Sequence, residues 1–156
     1  MLESMSKWIS TKRPVSPKTV LFVCTHNSGR SQMAEAFFNR YAPIDVRAIS
    51  AGSQPAERLN PTVVAAMREA GIDISSQYPK LLTPEMLDDA AMVIVMGCGE
   101  SNACPAAFVP SENWELEDPE GQPIEKVRQI RYEIDARVKL LIEQISNANE
   151  TDKSKK

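Results

Sequence analysis

The sequence predicts an α/β domain in which a parallel β-sheet is covered by helices on both faces. Three short apolar runs indicate buried strands, at 19–24, 45–51 and 91–96, and a fourth strand is expected near 113–116. Segments with helical spacing alternate with these runs along the chain, which is typical of parallel sheets connected by helices. A chain of 156 residues is long enough to bury one such core.

Four segments carry the signals of helices. Residues 31–42 show apolar side chains at helical spacing. Residues 61–71 are expected to form a helix with Pro at its first position and Gly just past its end. Thr83 is expected to cap a short helix. The longest helix is predicted to start at Pro123, and its apolar side chains recur every three or four residues up to Ile145.

Composition and the chain ends predict one domain with two loose ends. We expect a loose N-terminal extension over 1–18, a single catalytic domain over 19–146 and a disordered tail over 147–156. Eighteen Lys and Arg against 21 Asp and Glu leave no basic excess, so nucleic acid is not an expected partner. No apolar run reaches membrane-spanning length and no signal peptide is evident, so we expect a cytoplasmic protein with no membrane partner.

The segment from Cys24 to Ser31 lies between the first strand and the first helix, where parallel sheets bind ligands. Backbone N–H groups at a helix start are unsatisfied and hold anions. Arg30 can grip two oxygens of a tetrahedral oxyanion with its guanidinium fork. The five residues between Cys24 and Arg30 can curl into a nest of N–H donors around that anion: Thr25, His26, Asn27, Ser28 and Gly29.

Cys24 is the candidate nucleophile of this loop. The helix dipole and Arg30 favour its thiolate form, and Ser31 can donate a hydrogen bond to the sulfur. The alternative is that Cys24 is a small buried apolar residue at a strand end. Histidine is a common general base, but the His26 side chain is expected to point away from the loop interior and to transfer no proton.

Four motifs together resemble the thioredoxin-coupled arsenate reductases built on the low-molecular-weight protein tyrosine phosphatase fold. The resemblance implies three layers around a four-stranded parallel sheet ordered 2-1-3-4, an anion loop at the first strand, and a general acid at Asp118. It covers nearly all of 19–145. The motifs are CTHNSGRSQMAEA at 24–36, SAG at 50–52, LNP at 59–61 and DPEGQPIEKVRQIR at 118–131.

Asp118 also has a chemical argument of its own. Attack by Cys24 expels an oxygen leaving group, hydroxide from arsenate or an alkoxide from a phosphoester, and that oxygen needs a proton. A carboxylic acid on a loop folded over the anion site suits this step. The alternative is a turn residue, since Asp-Pro-Glu-Gly is also good turn chemistry.

Cys98 and Cys104 follow the third strand, whose end should lie near Cys24. The resemblance implies a relay of three thiols in this chain. Cys24 would attack arsenate, Cys98 would then attack Cys24 and release arsenite, and Cys104 would finally attack Cys98. Thioredoxin or a similar dithiol protein would then reduce the Cys98–Cys104 disulfide. The alternatives are two buried cysteines or a static bridge. Five residues separate the pair, where the best-known relatives have six.

No tightly bound cofactor and no metal are expected. A structural zinc site needs four Cys or His ligands, and the chain offers three cysteines and one histidine, with Cys24 and His26 in one tight segment. Some relatives carry an acidic residue at position 80 that helps bind potassium near Asn27, Glu35 and Ser50. Here Lys80 could take the place of that ion, or it could be a solvated surface lysine.

Three classes of function are compatible with the anion loop. Arsenate reduction is the prediction, with phosphate and sulfate as competitors and weak phosphatase side activity. The alternative is a low-molecular-weight protein tyrosine phosphatase, but such enzymes carry Pro where this chain has Gln32 and aromatic residues where it has Glu120-Gly121. A phosphatase also needs neither Cys98 nor Cys104. A non-catalytic anion-binding protein would have no use for Asp118.

Overall fold

The computed structural model describes residues 18–97 and 111–154. These residues form a parallel sheet of order β2-β1-β3-β4, which confirms the predicted topology. The strands are β1 Lys18–Cys24, β2 Val46–Gly52, β3 Met92–Val95 and β4 Glu112–Asn113. The helices are α1 Arg30–Tyr41, α2 Pro61–Glu69, α3 Pro84–Asp89 and α4 Ile124–Ser154.

Helices cover both faces of the sheet, because successive apolar side chains of β1 point alternately to one face and the other. Phe22 and its even-numbered neighbours belong to a large core with α1, α2 and α4. Leu21 and Val23 point the other way, into a smaller cluster that includes residues of α3. Phe22 is fully buried and contacts the rings of Phe38 and Trp114. The three-layer arrangement therefore follows from a central strand that is apolar on both faces.

Local signals set the helix starts. Asn60 caps α2 by accepting from the backbone N–H groups of Thr62 and Val63, and Pro61 occupies the first turn. The predicted cap at Thr83 is confirmed, since its hydroxyl accepts from the N–H of Met86 at 3.2 Å. Each cap satisfies donors that the first turn leaves unpaired.

Two chain segments differ from the prediction. The strand expected near 113–116 is only two residues long and lies one residue earlier, at Glu112–Asn113. Helix α4 continues to Ser154, so 147–154 are helical where a disordered tail was expected. No Gly or Pro follows Pro123 in the sequence, and helix propagation adds one hydrogen bond per residue until something stops it. Within the described ranges, no helix combines the length and apolarity needed to cross a membrane.

Candidate active site

The loop at 25–29 connects the central strand β1 to the N-terminus of α1. Cys24 ends β1 and lies opposite Gly52 of β2 in the sheet register. A Cβ at Gly52 would lie 2.6 Å from the Thr25 carbonyl oxygen and 3.0 Å from the Asn27 nitrogen. Gly52 therefore lets the loop turn tightly over the sheet edge. The turn leaves Cys24 buried on the α1 side of the sheet.

The loop carbonyls point outward, to the segment 53–60 that follows β2. Backbone N–H groups of that segment donate to them at 2.8–3.3 Å, and the pairs are Ser53 to Cys24, Gln54 to Thr25, Ala56 to His26 and Asn60 to Ser28. Because four of the five carbonyl groups from Cys24 to Ser28 are used on the outside, the loop's peptide N–H groups are free to face inward. This is the arrangement that an anion nest requires.

The N-terminus of α1 adds further donors. Its cap residue, Gly29, provides no side-chain hydrogen bond, and no acidic residue lies in the first turn. No acidic side chain of the helix's own first turn therefore competes with an anion for these N–H groups, and the helix dipole favours negative charge there.

The Cys24 thiol lies in a small hydrogen-bond network. Its Sγ is 2.9 Å from Ser31 Oγ and 3.2 Å from the backbone nitrogen of Asn27, which donates to it. Asn27 Nδ2 donates to the same Ser31 Oγ at 2.7 Å. Since an amide NH₂ can only donate, Ser31 Oγ accepts from Asn27, which leaves its own hydrogen available to the sulfur. The contact predicted between Ser31 and Cys24 is therefore present.

Asn27 holds this network in place. It is fully buried with φ of 52°, a left-handed conformation that Asn adopts more readily than most residues. Its Oδ1 accepts from the backbone N–H of Lys80 at 2.8 Å and from Gln32 Nε2 at 3.1 Å. These two donors fix which end of the amide is oxygen, and hence direct Nδ2 toward Ser31.

The Arg30 guanidinium is buried beside the loop. Nη1 donates to the Leu116 carbonyl at 3.2 Å, and Nη2 lies 3.7 Å from Asp118 Oδ2. Gly97 packs against it so closely that a Cβ at Gly97 would overlap Nη1 and lie 3.1 Å from Cζ. Thr25 Oγ1 also donates to the Gly97 carbonyl, at 3.1 Å. The Arg30 guanidinium is thus positioned by Gly97 and Leu116, which precede and follow residues 98–110 in the sequence.

Asp118 lies at the mouth of the loop, on the segment that leads into α4. Its Oδ1 accepts from the backbone N–H of Glu120 at 3.0 Å, while its side chain is about half exposed. The next residue, Pro119, is buried against Gly29, and a Cβ on Gly29 would lie 2.8 Å from the proline Cγ. Gly29 therefore permits close docking of the acid-bearing segment onto the anion loop. The structure brings Asp118 to the site that its proposed role requires.

A second polar cluster lies behind the loop. Ser50 Oγ donates to Glu35 Oε1 at 3.0 Å, and Lys80 Nζ lies 4.0 Å from the same oxygen. Burial raises the pKa of Glu35 above its ordinary value, and the ammonium of Lys80 acts in the opposite direction. Lys80 is therefore a partly buried partner of Glu35 rather than a fully solvated lysine.

The structure brings together most of the residues singled out from the sequence. Cys24, the loop residues, Arg30, Ser31 and Asp118 share one site, whereas Cys98 and Cys104 lie outside the described residues. The sequence patterns did not predict the roles of the segment 53–60, which donates to the loop carbonyls, and of Gly97. The LNP motif at 59–61 was the one available signal for the former, because an Asn before a Pro at a helix start indicates a fixed loop end.

The fold and the loop define the class: an α/β protein with an anion-nest loop around a buried cysteine at the end of its central strand. The family model described as low molecular weight phosphotyrosine protein phosphatase matches residues 19–151. The chain belongs to this family.

Within the family, the chain is similar to arsenate reductases. It is 41% identical over 138 residues to the arsenate reductase of Bacillus licheniformis, which covers 83% of this chain and 98% of that protein. The solved thioredoxin-dependent arsenate reductase of Corynebacterium glutamicum aligns with TM-score 0.72 at 38% identity, over 89% of this chain and 67% of that one. An arginine phosphatase from Geobacillus stearothermophilus aligns with TM-score 0.76 at 27% identity, over 86% and 97%.

Proposed function

We propose that this protein is an arsenate reductase that uses Cys24 as its nucleophile. The observation that carries the proposal is the position of the Cys24 sulfur, which accepts from the Asn27 N–H and lies 2.9 Å from Ser31 Oγ. The loop around it has its carbonyl groups paired with the segment 53–60 on the outside. The similarity of about 40% identity to arsenate reductases supports arsenate as the oxyanion.

In the first step, loop N–H groups and the Arg30 fork bind the arsenate oxygens, and the Cys24 thiolate attacks arsenic. One arsenic–oxygen bond breaks as the sulfur–arsenic bond forms. Asp118 donates a proton to the departing oxygen, which leaves as water. The 3.7 Å distance between Asp118 Oδ2 and Arg30 Nη2 supports this role, because the acid then faces the same anion as the clamp.

In the second step, the Cys98 thiolate attacks Cys24 Sγ. The electron pair of the sulfur–arsenic bond passes to arsenic, which leaves as arsenite, and a Cys24–Cys98 disulfide forms. Cys104 then attacks Cys98 and releases the Cys24 thiolate. Gly97 contacts Thr25 and Arg30 directly, which supports the relay because Cys98 is the next residue along the chain.

The Cys98–Cys104 disulfide is reduced by an external dithiol of the thioredoxin type in this scheme. The dependence of the Corynebacterium enzyme on thioredoxin supports that choice. No tightly bound cofactor takes part, because two thiols supply the two electrons that arsenate requires.

Phosphoester hydrolysis is the second candidate, and the family membership favours it. Cys24, Arg30 and Asp118 are sufficient for that reaction. In this chain, however, Asp118 is followed by Pro119, Glu120 and Gly121, which provide no aromatic wall for a phosphotyrosine ring.

The deciding experiment measures arsenate-dependent NADPH oxidation with thioredoxin and thioredoxin reductase, beside hydrolysis of an aryl phosphate. We expect NADPH oxidation with the wild type and none with Cys24→Ser or Arg30→Ala. Arg40→Ala, on the exposed end of the same helix, is the matched control and should keep full activity. Fast aryl phosphate hydrolysis without arsenate reduction would favour the phosphatase instead.

The relay has its own test in Cys104→Ser. This variant should reduce about one equivalent of arsenate and then stall with a Cys24–Cys98 disulfide, which peptide mapping after non-reducing alkylation detects. Cys98→Ser should stall earlier, without an internal disulfide. Multiple turnovers by Cys104→Ser would refute the relay.

A further inference from the structure

The mouth of the anion loop holds three groups that can ligate a metal ion. His26 lies on the loop itself, while Asp118 and Glu120 lie on the segment before α4. One donor atom from each lies within 4.8 Å of the other two. Within the described part of the chain, these residues are the one cluster of three or more such groups.

We propose that His26, Asp118 and Glu120 form a zinc-binding site whose occupation inhibits the enzyme. The binding proposal depends on the geometry alone, and the inhibition also rests on the proposed function of Asp118. The site would be exchangeable, because all three side chains are accessible and solvent can fill the remaining coordination positions.

The distances require only small side-chain movements. His26 Nδ1 lies 3.7 Å from Glu120 Oε2. Tetrahedral zinc with bonds of about 2.0–2.1 Å places its donors roughly 3.3 Å apart. Glu120 is 71% exposed and His26 is 40% exposed, so both side chains are free to close that gap. Asp118 is already oriented by the N–H of Glu120.

The donor set favours zinc over the hard cations. An imidazole nitrogen suits zinc, copper, nickel and cobalt, whereas magnesium and calcium prefer oxygen ligands alone. Two carboxylates supply negative charge for a divalent cation. Arg30, 3.7 Å from Asp118, opposes the cation, which predicts a moderate affinity rather than a permanent structural site.

Occupation would remove the general acid from the reaction. A carboxylate that coordinates zinc gives its lone pair to the metal and cannot deliver a proton to the leaving oxygen. Zinc would also tie the anion loop to the segment 118–120, across the entrance that arsenate must use. The site is thus a means by which metal ions in the medium would lower the reductase rate.

The single histidine in the chain makes the test specific. Protein labelled with ¹⁵N-histidine and kept reduced is titrated with zinc chloride, and the His26 imidazole signals are followed by NMR. We expect a saturable shift with one zinc per site. Glu120→Gln should weaken that binding by about tenfold or more, as loss of a metal-site group does. Glu117→Gln is the matched control, because that neighbouring carboxylate pairs with Lys126 instead.

Activity measurements separate this site from zinc bound to thiols. Zinc should inhibit arsenate reduction by the wild type and by Glu117→Gln, and Glu120→Gln should need about tenfold more zinc. Unshifted His26 signals, or equal zinc affinity at His26 in both glutamine variants, would overturn the site. If His26 binds zinc but the protein reduces no arsenate, the site stands and the proposed function fails.

Discussion

Replacing Gly97 by alanine tests whether the position of Arg30 controls activity. Gly97 has φ of 79°, and a Cβ there would overlap Arg30 Nη1. The left-handed conformation alone costs a non-glycine residue roughly 1–2 kcal/mol. Moving the guanidinium also breaks its hydrogen bond to Leu116, and a hydrogen bond to a charged group contributes about 1.5–3 kcal/mol. The two terms together predict a loss of roughly 2.5–5 kcal/mol in the free energy of unfolding.

Gly71→Ala separates the two effects. Gly71 has φ of 83°, but a Cβ there meets nothing within 4 Å. This control should therefore lose only the roughly 1–2 kcal/mol of the backbone conformation. Urea denaturation measures both variants under the same conditions.

The functional consequence should also differ between the two variants. A misplacement of about 1 Å can reduce a rate by roughly 10²-fold, so we expect kcat/KM for arsenate to fall by about that factor in Gly97→Ala. Gly71→Ala should reduce arsenate at the wild-type rate. Wild-type kinetics in Gly97→Ala, or equal losses in both variants, would refute the argument that Gly97 positions Arg30.

Three further predictions concern other charged groups. Asp118→Asn should slow turnover by roughly 10²–10⁴-fold and remove the alkaline limb of the pH–rate profile, and an unchanged profile would make Asp118 a turn residue only. The hydrogen bond from Arg128 lowers the pKa of Glu69 from 4.5 to about 2, so its stabilisation is present above pH 4.5 and is lost as the pH falls toward 2. Glu69→Gln should therefore unfold at lower urea than the wild type at neutral pH, and the two curves should converge near pH 2. Because Lys80 already provides a cation beside Glu35, rates in KCl and NaCl of equal ionic strength should be the same, and stimulation by potassium would contradict this.

Local sequence patterns predicted the parts of the fold that depend on neighbouring residues. The nearly continuous apolar run at 19–24 indicated a strand buried on both faces, and both faces of β1 are indeed covered. The cap at Thr83 and the contact between Ser31 and Cys24 were predicted correctly, since each joins residues within one turn or one loop. Interactions of this kind can be predicted from the spacing of residues that are close in the sequence.

Contacts between distant segments could not be predicted in the same way. The bracing of the loop by 53–60, the overlap of Gly97 with Arg30 and the approach of Glu120 to His26 depend on how the chain folds back on itself. The candidate metal site could not be predicted by counting Cys and His residues alone, because two of its three ligands are carboxylates. The polar composition beyond 146 predicts disorder, but α4 continues there as a helix to Ser154.

A single-turnover experiment without external reductant tests the central claim most directly. Fully reduced protein, which has three thiols per chain, is mixed with excess arsenate; arsenite is then quantified and the remaining thiols are counted. The account predicts one arsenite per chain and the loss of two thiols, because arsenic gains the two electrons that a disulfide releases. The same experiment with Cys24→Ser should yield no arsenite. Arsenite formed without loss of thiols, or no arsenite from the reduced wild type, would contradict the account.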